Sequence, residues 1–348
     1  MADALAPVRD AHRFDEAGLL RWMEANVADF GGPLSVEQFS GGQSNPTYRL
    51  RTPARDYVLR RKPPGILLKG AHAVDREFRV ISALHGTGFP VPRPYGLCLD
   101  DAVIGTAFYV MELVEGRTFW NTAFPEVARE ERPACFDAMN ATIARLHSID
   151  PASIGLGDFG RPGNYFERQV GRWSRQYLED EDAGRVPAMD ALIEWLPANI
   201  PPGEETSIVH GDFRCDNMLF HPTEPRVVAV LDWELSTLGH PLADFAYHLM
   251  VYRMPPGFST GLAGLDLPAL NIPSEDDYVA AYCRRTGRDG IERLDFHLAF
   301  SLFRLAAIIH GIKGRLIRGT ASSSQAAAAV EQLDRIAALA LTQTRTGG

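Results

Sequence analysis

Between residues 15 and 28 (DEAGLLRWMEANVA) apolar side chains recur every three to four positions. That period predicts a leading helix, which Gly31-Gly32-Pro33 ends. Beyond it come short strand-like runs at 34–40, 46–51, 56–61, 94–99 and 107–113, separated by Gly, Pro and Asp. One helical interval, 73–85 (AVDREFRVISALH), interrupts them. The order is three strands, a helix and two strands. Strands so closely spaced predict an antiparallel sheet with one packed helix.

After Gly116 the pattern turns mostly helical. The predicted helices are 130–148, 164–180, 188–198, 275–287, 291–317 and 322–342. Two short β runs, 217–220 and 227–231, lie among them. The Ala-rich tail keeps its apolar residues at helical spacing and reads as a packed terminal helix. There is no internal repeat, and Pro201-Pro202-Gly203 reads as a loop within the second half.

The 348 residues are 45% apolar and 23% charged, which suits a folded globular chain of one large or two smaller domains. The formal net charge of −9 argues against a general nucleic-acid or anionic-membrane binder, since either needs a basic face. Cys98, Cys135, Cys215 and Cys283 show no CxxC spacing, so neither a zinc site nor a dithiol motif is predicted. Isolated cysteines of this kind, the charged N-terminus and the lack of an unbroken apolar run of about 18 residues lead us to expect a cytoplasmic protein with no membrane partner.

The chemistry concentrates in two segments. In 207–220 (SIVHGDFRCDNMLF) an apolar strand ends in His210-Gly211-Asp212, and Asn217 opens the next apolar run. In 227–234 (VVAVLDWE) a second apolar strand delivers Asp232 at its end. A carboxylate at the end of a buried strand needs a reason, because burying charge is costly. A metal ion or a catalytic role supplies one. Each feature alone is bland, as a turn with a packed histidine or a helix cap. The ordered set HxDxxxxN, then an Asp fifteen positions on, is specific.

This set resembles the catalytic and metal loops of protein-kinase-like phosphotransferases. The Gly after His210, the Asp-Trp-Glu at 232–234 and the following LSTLGHPLADFAYHL are similar to the aminoglycoside phosphotransferase and choline kinase branch, which acts on small molecules. The resemblance spans roughly residues 35–320. It implies an α+β, two-lobed kinase-like fold, with an antiparallel-sheet N-lobe over 1–114 and a helical C-lobe over 115–348. It implies ATP and Mg²⁺ as cofactors, with Asp232 and Asn217 as metal ligands and Asp212 orienting the acceptor hydroxyl. His210 and Asp244 then support the site structurally.

On the nucleotide side, FSGGQSNPTYRL places Gly41 and Gly42 between two strands, where their backbone N–H groups can approach phosphates, with Ser44 and Asn45 as further donors. The family's third-strand Lys is replaced by Arg60, paired by expectation with Glu77; a surface ion pair is the bland alternative, and Lys62 is a substitute for the Lys. The segment FYVMELVEG resembles the last strand and hinge. Met111 would line the adenine slot, and backbone near Glu112 and Val114 would bind the base.

Arg168, Arg172 and Arg175 share one helix face among aromatic residues, which suits an anionic acceptor, against the alternative of a solvated basic face. YVLRRKPPG, LLKGAHAVDREFRV and NYFERQVGRW are similar to phosphotransferase-like domains found beside or fused to acyl-CoA dehydrogenases. That resemblance implies a hydroxyacyl-CoA acceptor. The competing readings are an aminoglycoside or amino-alcohol kinase, a non-catalytic nucleotide-binding regulator and, last, a metal hydrolase built on His210.

Overall fold

The computed structural model describes residues 5–39, 45–65, 72–256, 261–320 and 326–345. The chain forms two compact units. The first comprises 1–119, 152–156 and 216–236, and the second 120–151, 157–215 and 237–348. The packing division thus differs from a single cut at 114/115. The β hairpin that follows Asn217 packs with the sheet-bearing unit, although helical segments flank it in sequence.

The first unit holds β1 (Leu5–Ala6), α1 (Glu16–Asn26), β2 (Ser35–Phe39), β3 (Thr47–Arg51), β4 (Tyr57–Arg61), α2 (Val74–His85), β5 (Pro94–Cys98) and β6 (Phe108–Glu112). The strands form one antiparallel sheet in the order β1-β2-β3-β4-β6-β5. The five predicted strands are present. β1 is a two-residue edge strand, too short to leave a periodic signal. Asp15 caps α1 by accepting a bond from the Gly18 N–H.

Side chains alternate across a strand, so parity assigns the faces. Tyr57 and Leu59 of β4, with Phe108 and Val110 of β6, pack in one core with Leu19 and Met23 of α1. Arg60 and Tyr109 therefore belong to the opposite face, where they are direct cross-strand neighbours. On α2 the buried stripe runs Val74, Glu77, Ile81 and Leu84. A carboxylate sits in the middle of an otherwise apolar stripe.

The same unit contains the hairpin β8 (Met218–Phe220) and β9 (Val227–Val230), with Met218 opposite Val230. The predicted run 217–220 opens as a 3₁₀ turn over Cys215–Asn217.

The second unit holds α3 (Arg132–His147), α4 (Tyr165–Glu179), α5 (Pro187–Ala198), β7 (Ser207–Val209), β10 (Thr237–Gly239), α6 (Pro241–Leu249), α7 (Leu267–Leu270), α8 (Glu275–Thr286), α9 (Leu294–Ile317), α10 (Ala326–Val330) and α11 (Leu333–Gln343). β7 pairs antiparallel with β10, which fixes both ends of the segment carrying His210. Every residue of α6 is buried. α9 is long and apolar enough to cross a membrane by composition, but 78% of its apolar window is buried as the unit's central helix. The predicted tail helix is broken in two, between Val330 and Leu333.

Three histidines of this unit, His240, His248 and His297, are buried, and burial pushes their pKa values down to about 4, about 4 and about 3. A base that resists protonation when folded but not when unfolded makes stability fall as pH drops from about 6.5 toward 4. For His248 the loss amounts to about 3 kcal/mol at one proton. The pH dependence of the urea midpoint in that window is expected to flatten by one proton in His248→Gln. Glu77 in the other unit works oppositely over part of the range, so the variant's difference, not the total slope, is the reading. An unchanged slope would contradict a neutral buried His248.

Candidate active site

In the sheet-bearing unit the buried Glu77 carboxylate gathers three partners. Arg60 Nε lies 2.9 Å from Oε2, Tyr109 OH donates to Oε2 at 3.0 Å, and Asn45 Nδ2 donates to Oε1 at 2.8 Å. Burial nonetheless pushes the Glu77 carboxyl up to about 7, against the pull of Arg60. Arg60 also reaches forward. Its Nη2 donates to Asp232 Oδ1 at 2.6 Å and lies 3.4 Å from Glu234 Oε2. Burial works against the guanidinium charge, but these carboxylates outweigh it and hold Arg60 protonated. Arg60 thus takes the Lys position directly, and no substitution by Lys62 is needed to pair Glu77. The bland surface pair is excluded, because Glu77 is 1% and Arg60 12% exposed.

The hairpin register brings the two expected metal ligands together. With Met218 opposite Val230, Asn217 falls opposite Leu231, whose N–H donates to Asn217 O at 2.8 Å. Asp232 follows at once, in the left-handed region with φ 64°. Asp tolerates that conformation better than most residues. Trp233, buried and bonded through Nε1 to Val230 O at 2.9 Å, anchors the turn and leaves Asp232 at its apex.

Met111 is buried on the Arg60 face of β6. The Glu112 N–H is committed to Arg93 O at 2.9 Å, so base recognition at Glu112 falls to its carbonyl. Val114 is half-buried just beyond the strand. Gly41, Gly42 and Ser44 lie outside the described residues.

In the helical unit a second buried carboxylate organises the loop after β7. Asp244, in the first turn of α6, accepts the His210 N–H at 2.7 Å and the Gly211 N–H at 2.8 Å, and pairs with His147 Nε2 at 3.3 Å. Burial alone would raise its pKa; the bond and charge of His147 and the loop N–H bonds hold it below the ordinary value. Gly211 takes φ 85°, a turn that a side chain would strain. His210 is fully buried, and its Nδ1 accepts the Asp212 N–H at 3.2 Å, a supporting geometry rather than that of a base. Asp212 is half-buried, with Tyr247 OH on Oδ1 at 2.8 Å and Arg214 Nε at 3.2 Å.

The three arginines of α4 do not act as one face. Arg168 donates to Arg161 O at 2.6 Å and Pro162 O at 3.4 Å, which pins it to the preceding loop. Arg172 and Arg175 line an open groove of about 820 Å³ with Gln176, Glu179, Asp180, Glu181, Asp182 and Arg318. Four carboxylates meet three guanidiniums there, so the groove has no cationic excess. Spacing reads the Arg stripe correctly but does not reveal the acids across from it. Asn45, expected as a donor to phosphates, gives its Nδ2 to Glu77 instead. Tyr109, His147, Tyr247 and Arg304 complete the two clusters. Their signal was weak, since single polar or aromatic positions in buried elements look like core.

The two clusters hold Arg60, Asn217, Asp232 and Asp212, the residues that the sequence resemblance singles out. The phosphotransferase enzyme family model matches residues 35–297, and the chain belongs to that family. A Ralstonia eutropha protein of known structure, described as a candidate aminoglycoside phosphotransferase, is 51% identical with a TM-score of 0.88, over 96% of this chain and 99% of that one. A spectinomycin phosphotransferase solved with ADP and spectinomycin shares the fold, at TM-score 0.62 and 11% identity over 96% of this chain and 99% of that one. Acyl-CoA dehydrogenase family member 11 of Gallus gallus is 46% identical over 91% of this chain and 42% of its own length. Family member 10 of Mus musculus is 42% identical over 96% of this chain and 31% of its own length. The chain therefore spans well under half of these curated relatives.

Asp244→Asn tests the loop's dependence on that carboxylate. The amide offers one acceptor oxygen where two backbone donors need one each, so one N–H is left facing a donor. Chemical denaturation is expected to show a loss of about 2–4 kcal/mol. A loss below about 0.5 kcal/mol would contradict the assigned role.

Proposed function

We propose that this chain transfers the γ-phosphoryl group of ATP to a hydroxyl of a hydroxyacyl-CoA or a related anionic metabolite, with Mg²⁺ as cofactor. The observation that carries the reading is the Arg60 network. A buried guanidinium joins the helix carboxylate Glu77 to the strand-end carboxylate Asp232, the arrangement a phosphate-binding cation needs beside a metal ligand. The relatives named as acyl-CoA dehydrogenases support an acyl-CoA acceptor, and the solved neighbour with ADP supports an adenine nucleotide. The mixed charge of the α4 groove offers no such support, so acceptor recognition is not assigned to Arg168, Arg172 or Arg175. The four cysteines, buried and not joined in disulfides, support a reducing, cytoplasmic setting.

The residues fit Mg²⁺. Among the described residues no group of three or more His, Cys, Asp or Glu forms a metal cage. Mg²⁺ commonly uses one or two carboxylates together with substrate phosphates and water. Asp232 and the amide oxygen of Asn217 are hard donors on residues that the hairpin places as backbone neighbours, and the bonds of Arg60 to Asp232 and Glu234 support a cation beside these carboxylates. When bound, the ion neutralises charge on the transferring phosphates.

The chain's own residues do the rest. Arg60, oriented by Glu77, holds phosphate oxygens, and Met111 and the backbone at Glu112 and Val114 take the adenine. Asp212 orients the acceptor hydroxyl and receives its proton as the new O–P bond forms and the bond from the γ-phosphorus to ADP breaks.

Thermal-shift titration with ATP and Mg²⁺ tests the nucleotide site without any acceptor. A native-state ligand at 100 times its Kd stabilises by about 2.7 kcal/mol, which reads as a rise in Tm. The rise is expected to need Mg²⁺ and to vanish in Asp232→Ala. In Asp212→Asn the rise should persist while phosphoryl transfer falls at least a hundredfold. No shift in the wild type at millimolar nucleotide, or full transfer by Asp212→Asn, would contradict the proposal.

A further inference from the structure

The face of α6 that carries Asp244 does more than hold a turn. Asp244, Tyr247 and His248 stand at i, i+3 and i+4, so they share that face. They reach consecutive parts of one loop. Asp244 accepts the N–H groups of His210 and Gly211, Tyr247 OH donates to Asp212 Oδ1 at 2.8 Å, and His248 Nδ1 donates to Phe213 O at 3.1 Å. The His248 tautomer follows from its neighbours, since a carbonyl can only accept and Nε2 then takes the Tyr278 hydroxyl at 2.6 Å. Residues 210–213 are thereby gripped at four points by one helix.

Tyr247 is the member of this set that touches a carboxylate at the centre of the proposed chemistry. Its phenol is buried, and burial together with the Asp212 charge pushes its pKa far up, so it stays a neutral donor at any working pH. The ring is held from the other side. Arg304 of α9 stacks its guanidinium 5.2 Å from the Tyr247 centroid and donates Nη2 to Gly211 O at 2.8 Å. Arg304 is itself buried. The charged and titratable groups around Asp212 are thus Tyr247 on α6, Arg304 on α9, and His210 and Arg214 on its own loop, with Asp244 beneath the loop.

We propose that Tyr247 is a positioning residue for Asp212. It holds Oδ1 and so fixes the orientation of the carboxylate that meets the acceptor hydroxyl, while Arg304 locks the tyrosine in place. This inference rests on the phosphotransfer reading, in which Asp212 receives the proton. A carboxylate with one oxygen bonded to a buried phenol cannot rotate without giving up that bond. Nothing in the HxDxxxxN pattern contains this residue. It comes from the adjacent helix and is chosen by the reach of a phenol from the third position after Asp244.

Tyr247→Phe keeps the ring and its stack against Arg304 and removes only the donor. Two readouts are taken on the intact chain. The first is kcat and KM from ADP release with ATP, Mg²⁺ and a hydroxyacyl-CoA panel, and with water alone. The second is the rise in Tm with ATP and Mg²⁺. In Tyr247→Phe kcat is expected to fall about tenfold or more, with KM for ATP within twofold and the rise in Tm kept. Replacing Tyr247 with 3-fluorotyrosine, which keeps a donor of nearly the same size, should restore most of kcat. An unmoved kcat in Tyr247→Phe, or a 3-fluorotyrosine chain no faster than it, would reduce Tyr247 to a packing residue and overturn the inference. A wild-type chain that releases no ADP above background would instead overturn the phosphotransfer reading.

Discussion

The structure depends on one costly arrangement, a guanidinium buried among carboxylates. Stripping water from Arg60 and Glu77 costs several kcal/mol for each ion, and their attraction repays it only when the geometry is close and the remaining hydrogen-bonding capacity is met. The ion-pair distances are short and most of that capacity is met. Tyr109 and Asn45 bond Glu77, and Asp232 and Glu234 take the outer end of Arg60. The partners come from separate parts of the unit, so Asn45 just ahead of β3, strand β4, helix α2, strand β6 and the turn after β9 must all sit in register for the charge to be tolerated. Removing one partner leaves the others buried and uncompensated. A purely apolar sheet face would fold with less strain on its electrostatics, which is why this charge cluster reads as a site.

The helical unit solves the same problem with backbone donors. Asp244 lies wholly inside and is kept ionised by two loop N–H groups and His147. The carboxylate rigidifies the loop, and the loop satisfies the carboxylate. Asp212 is therefore presented by a segment whose backbone has little freedom, which is what a group that must meet a hydroxyl requires. Half-buried Asp212 and the αL turn at Asp232 lie just beyond the ends of buried strands, where the chain leaves the core carrying a polar residue that the core itself does not need.

Much of this was legible in the sequence. The kinase-like pattern already paired Arg60 with Glu77, although spacing alone left a surface ion pair open and only the fold shows both side chains inside. HxDxxxxN with Asp232 fixed the order of the chemical groups, and the apolar runs flanking them located the hairpin. What stayed hidden depends on tertiary contact. Tyr109 and Tyr247 look like ordinary core aromatics, since only the fold shows which polar tip meets which carboxylate. The Arg168, Arg172 and Arg175 spacing was real, but Glu179, Asp180 and Asp182 and the loop carbonyls at 161–162 cancel or divert it. Helix ends were read within a few residues except in the tail, where Ala-rich periodicity continued across a break between Val330 and Leu333.

The central claim is the proposed activity, the movement of a phosphoryl group from ATP to an organic hydroxyl. It is tested most directly by ³¹P NMR of the intact chain incubated with ATP, Mg²⁺ and a panel of hydroxyacyl-CoA, amino-alcohol and aminoglycoside acceptors. The account predicts a new phosphomonoester resonance that grows in step with ADP, one for one, with a hydroxyacyl-CoA present and not without an acceptor. Inorganic phosphate as the sole product with every acceptor, or no consumption of ATP at all, would contradict it.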